Sequence, residues 1–116
     1  MKQNLEADTV IEDWFLIDFT YENEPIDKRV LWGIVVQDRK GRWVPGDYCC
    51  TSLVLNDLGD QFFQTKNSIY RVEGSGKRVT VSAEAIYALR AGHSPEELEV
   101  MADLQIQLSD SHGPTE

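Results

Sequence analysis

The residues best equipped for chemistry form two oppositely charged sets. The first is basic and lies mid-chain: Arg39, Lys40, Arg42, Lys66, Arg71, Lys77 and Arg78, with Trp43, Tyr48 and Tyr70 among them. Cations beside aromatic stacking surfaces suit single-stranded nucleic acid or a phosphate ligand. The plainer account is preferred: turns are polar, and edge strands carry charge against aggregation. The second set is acidic: Glu96, Glu97, Glu99 and Asp103. Glu96 and Glu97 suit the first turn of a helix, where the dipole favours them. An acidic face also suits docking on a basic partner or imitation of nucleic acid.

Other groups offer less. Asp47, Cys50, Thr51 and Ser52 have the right types for nucleophilic or acid–base work, but a nucleophile needs a base in reach. Only His93 could serve, and nothing in the sequence places it there, so no catalytic residue and no enzyme is expected. Gly74-Ser75-Gly76-Lys77 lacks the length and the strand-to-helix setting of a phosphate-binding loop and reads as a β-turn. Cys49 and Cys50 are adjacent, and His93 and His112 lie far from them and from each other, so no metal spacing arises. No cofactor is expected.

The elements that carry these groups are short strands with turn residues between them. Residues 14–19 are apolar on both faces, as in a central strand or one covered by a helix. Residues 22–28 read as a polar connection broken by Pro25. Residues 30–36 are the clearest strand, and Gly33 inside it signals a bulge or close backbone approach. Asp38-Arg39-Lys40-Gly41 and Pro45-Gly46 are turns. Strands follow over 48–55, 61–65, 68–73 and 78–81. The period then changes. A helix runs from a Ser82 cap to Gly92. A second starts at Ser94-Pro95-Glu96-Glu97, with Ser94 as cap, Pro95 in first position and Glu97 closing a capping box. Its stripe of Leu98, Met101, Ala102 and Leu104 is expected to pack on the sheet, with a homodimer or partner contact as the alternative. The fold class is α+β: a small, strongly bent antiparallel sheet or partial barrel of about six strands with two C-terminal helices. Residues 9–108 form one domain between a loose N-terminus (1–8) and a frayed tail (109–116).

At 116 residues the chain suits a single domain, and its 41% apolar content lies above the disordered range. The net charge of −9 is unevenly laid out. Residues 1–27 hold eight acids and one base, residues 91–116 six acids and no base, and residues 28–90 ten bases and six acids. No signal peptide or membrane-spanning run is visible, and the cytoplasm is the expected location.

These motifs together resemble a family of small uncharacterised bacterial proteins common in prophage-rich genomes. The resemblance rests on Asp13-Trp14 followed by Leu16 and Asp18, on Val35-Val36 with Asp38, on Arg42-Trp43, and on Gly46-Asp47-Tyr48. Thr51-Ser52, then Phe63, Thr65, Lys66 and Asn67, then Gly74, Gly76, Lys77 and Arg78 follow in order. It covers residues 11 to 90, departs at Cys49-Cys50 and Lys66, and excludes the helix over 94–108. It implies a domain of unknown function and brings no catalytic or binding residue.

Two functions follow as expectations. The first is a non-catalytic acidic interaction protein, phage or prophage encoded, that inhibits a host complex handling nucleic acid, for example an anti-CRISPR. Its binding face would be Glu96, Glu97, Glu99 and Asp103. The second is a small β-barrel-like module binding nucleic acid or a phosphate ligand through a basic rim of Arg39, Lys40, Arg42, Trp43, Lys66, Lys77 and Arg78.

Overall fold

Residues apolar on both faces need cover on both, and this places β1 (Thr9–Tyr21) in the middle of the molecule. In the computed structural model, which describes residues 5–112, β1 pairs along its whole length with β2 (Glu24–Asp38). Beyond β2 lies β3 (Tyr48–Cys50). On the other side of β1 come β6 (Ile69–Val72), β5 (Phe62–Thr65) and β4 (Val54–Gly59). β7 (Lys77–Ser82) also pairs with β1. A turn of 3₁₀ helix (Ala83–Ala85), α1 (Ile86–Arg90) and α2 (Pro95–His112) complete an α+β fold whose sheet does not close. Residues 1–4 of the expected loose start and 113–116 of the expected tail lie outside the described residues.

Two expectations about the sheet's connectivity need correction; besides these, the strand expected over 48–55 is split into β3 and β4, and Ser82 makes no side-chain cap bond. The sheet is mixed, because β1 runs parallel to both β6 and β7. Those two are successive pieces laid along one edge of β1. Ile11 pairs with Val72 and Phe15 with Lys77, so Glu73, Gly74, Ser75 and Gly76 step around a bulge at Asp13 and Trp14. The second correction is the polar connection over 22–28. It is a two-residue hairpin turn, Glu22-Asn23, both at positive φ (51° and 67°), the geometry that matches strand twist. Pro25 lies in the ladder opposite Thr20. It is tolerated because β3 pairs only with Trp32, Gly33 and Ile34, which leaves this end of β2 an edge.

The bulge also sets the core. Asp13 has φ 50°, and the extra residue flips the alternation of β1. Ile11 and Leu16 therefore share one face, while Phe15, Ile17 and Phe19 share the other. On the first face the sheet folds over, so that Phe63, Tyr70 and Val72 meet Leu31, Val35 and Cys49. On the second, Val30, Trp32, Val79 and Val81 are covered by Ile86, Leu89 and Leu98 from the helices. Gly33 sits opposite the bulge: a Cβ there would come within 3.0 Å of the Glu12 carbonyl oxygen and of Ile11 Cδ1.

Candidate functional site

The basic residues are built into the fold at two separate places. At one end of the sheet, Asp38 is the hub. Its carboxylate, with no exposed surface, accepts from the Thr9 hydroxyl (2.8 Å) and from the backbone N–H groups of Arg42 (2.6 Å), Trp43 (3.1 Å) and Lys40 (3.3 Å). Burial works against ionisation. The hydrogen bonds from Thr9, the Arg42 and Trp43 amides and the Arg42 guanidinium outweigh it and hold the carboxyl down to about 2. Arg42 donates to Thr9 (2.8 Å) and Ser68 (3.0 Å) and stacks 4.5 Å from the Trp43 ring. Lys40 donates to the Asn67 carbonyl and the Ser68 hydroxyl. Arg39 pairs with Glu6 (2.7 Å) and Asp8 (3.6 Å). Lys66 is exposed at the β5–β6 tip.

Lys77 and Arg78 lie elsewhere, beside the middle of β1. Lys77 donates to Glu96 (2.6 Å), which raises its pKa. Arg78 donates to Asp18 at 2.7 and 3.2 Å. Asp18 titrates below the usual range through its Arg78 bonds first, against burial, with help from Arg29. Arg71 pairs with Glu73 (3.2 Å). Six of the seven cations of the basic set, all but Lys66, are thus held by groups of the same chain.

The acidic set sits on α2, whose start is fixed as the sequence requires. Ser94 Oγ accepts from the Glu97 N–H (3.1 Å), and Glu97 Oε1 accepts from the Ser94 N–H (2.8 Å). Pro95 is buried, and Leu98 packs on the core beneath. After Leu98 the helix leaves the sheet. Val100, Met101 and Leu104 are 58%, 45% and 53% exposed. Only Leu98 of the expected packing stripe reaches the core. Glu99 and Asp103 are exposed beside them and form no ion pair among the described residues. Val100, one helical turn before Leu104, belongs to the same exposed apolar stretch and was not among the residues the sequence singled out.

Of the remaining candidate groups, Thr51 and Asp47 have structural partners. Thr51 is buried, accepts from the Leu31 N–H (3.0 Å) and donates to the Ser52 carbonyl (2.7 Å). Asp47 accepts from the Val44 N–H (3.1 Å). Burial pushes the Cys49 thiol up to about 12 and the Cys50 thiol up to about 11. Gly74 accepts at its carbonyl from the Trp14 indole (3.0 Å), and a Cβ at Gly76 would fall 2.2 Å from the Trp14 ring. The glycines of this turn therefore seat an indole. Among the described residues no group of three or more His, Cys, Asp or Glu could hold a metal ion, and no helix is long and apolar enough to cross a membrane.

Residues 2–88 match the family model described as Domain of unknown function (DUF6957). The chain belongs to this family. No curated protein and no solved structure matches it. The DUF6957 match takes in all seven strands and ends inside α1, so α2, with its acidic and apolar surface, lies beyond the matched residues.

Proposed function

We propose that this DUF6957 protein is a non-catalytic interaction protein whose docking element is the outer half of α2. The observation that carries the reading is that Val100, Met101 and Leu104 are exposed and, among the described residues, join neither core cluster, while Glu99 and Asp103 stand beside them. A helix with an unpartnered apolar face and flanking charge is the kind that lies in a groove of another protein. The acids select a basic rim around that groove. A host complex that handles nucleic acid offers such a surface. Inhibition of one by a phage- or prophage-borne protein, for example as an anti-CRISPR, is the biological form of this proposal. Two unpaired thiols suit a reducing, cytoplasmic setting.

The test is an affinity capture of tagged protein from bacterial lysate, with and without nuclease. A stoichiometric protein that survives nuclease, and is lost with Glu99→Lys plus Asp103→Lys or with Met101→Asp, supports the proposal. Recovery only of nucleic acid would overturn it. So would capture indifferent to these variants.

A further inference from the structure

We infer that β7 is a self-complementary edge on which a second copy of this chain docks in antiparallel register. This does not depend on the helix-docking proposal. β7 pairs with β1 on one side only, and among the described residues no strand pairs its other edge. An uncovered row of backbone donors and acceptors is a template for another strand. Beside this edge runs a groove of about 490 Å³. Phe15, Val79, Val81 and Leu98 form its apolar lining, and Glu96 and Glu99 of α2 line it too. Val79 and Val81 pack against the core cluster yet stay half-buried.

The sequence of β7, Lys-Arg-Val-Thr-Val-Ser, says what fits there. An antiparallel copy centred on Thr80 sets Thr80 opposite its own equivalent and Val79 opposite the other copy's Val81. Arg78 then faces Ser82. Threonine pairs and β-branched pairs are favourable across strands, and no like charges stand opposite. Charge favours the same direction, with Lys77 and Arg78 held by Glu96 and Asp18 of their own copy. The strand starts with Lys77 and Arg78 and is followed by Glu84, which is exposed and makes no ion pair among the described residues. Antiparallel pairing brings the basic start of each copy to the acidic end of the other. Parallel pairing would stack like on like. The valines of each copy cover the groove of the other, closing the open side of both cores. The contact is isologous and ends with two strands, as a two-fold dimer requires.

The experiment is sedimentation velocity on the full chain, with concentration raised to about 100 µM so that a weak interface registers. The wild type should show a concentration-dependent dimer. Thr80 is exposed, so Thr80→Glu and Thr80→Lys should fold as judged by circular dichroism. Each alone should weaken the dimer by about tenfold, because like charges then face each other across the two-fold axis. Mixing the two variants should restore it as a heterodimer. Thr80→Cys should cross-link to its own copy under mild oxidation. A wild type that stays monomeric overturns the inference. A dimer that ignores both charge variants, or single variants not rescued by mixing, overturns it as well.

Discussion

Replacing Asp38 by Asn should cost stability in a pH-dependent way, and the structure supplies the size of the effect. The carboxylate is fully buried and collects three backbone N–H groups, one hydroxyl and one guanidinium. An amide of the same shape keeps one acceptor oxygen but turns an NH₂ toward donors. Hydrogen bonds to charged groups are worth about 1.5–3 kcal/mol each and do not add. A total near 3 kcal/mol at neutral pH is expected, which for a domain of this size lowers Tm by roughly 10–20 °C. The charge-dependent part follows from linkage. The folded carboxyl titrates at about 2 against an ordinary 3.8, so the group's contribution is present above pH 4 and is lost as pH falls toward 2. That part is about 2 kcal/mol. Urea unfolding of both proteins at pH 6, 4, 3 and 2 measures it. The difference between wild type and variant should shrink by about 2 kcal/mol over this range. A difference that is flat with pH, or below about 0.5 kcal/mol at pH 6, would refute the role given to Asp38.

Three further outcomes are expected. Gly76→Ala drives a Cβ into the Trp14 ring, 2.2 Å away, and should destabilise by about 2 kcal/mol or more with a shifted tryptophan emission; an unchanged midpoint in urea would contradict the packing. Ser94→Ala removes the acceptor for the Glu97 N–H and should cost about 1 kcal/mol, read as lower helicity at 222 nm and a lower Tm. Cys49 and Cys50, with thiols at about 12 and about 11, should react slowly with Ellman's reagent at pH 8 in the folded protein and rapidly in guanidinium; fast labelling of the native protein would show an environment unlike the one described.

How much of this was legible in sequence depends on whether the cause was local. The α2 start was readable because the capping box is closed by residues three apart, Ser94 and Glu97. Gly33 signalled a close approach because the glycine itself carries the cause, although the residue it approaches, Ile11, is 22 positions away. The double-sided core of β1 followed from its composition. The parallel ladders were not readable. A parallel neighbour is usually announced by an intervening helix, and here strands β2 to β5 make the crossover to β6. The hairpin at Glu22-Asn23 was hidden by Pro25, which reads as a break unless the edge position of that stretch is known. The hub at Asp38 was also hidden, since a turn aspartate and a buried acceptor for Thr9 look alike until the chain folds.

The charge layout shows the same distinction and bears directly on function. By segment the chain reads as acidic ends flanking a basic middle. In the fold those segments meet. Glu6 and Asp8 from the acidic start neutralise Arg39 at the basic end, and Asp18 from the same segment holds both Arg29 and Arg78. Glu96 from the acidic end takes Lys77. A cation already paired must give up that partner to bind a phosphate, which weakens the steering that nucleic-acid binding draws on. The negative charge of Glu99 and Asp103 on α2, unpaired among the described residues, is set next to Val100, Met101 and Leu104, which join neither core cluster. Met101→Asp should therefore leave stability within about 0.5 kcal/mol of the wild type, as for other surface changes, while abolishing partner capture. Exposed apolar area beside charge that is unpaired among the described residues is what the docking proposal rests on, and such a variant separates recognition from packing.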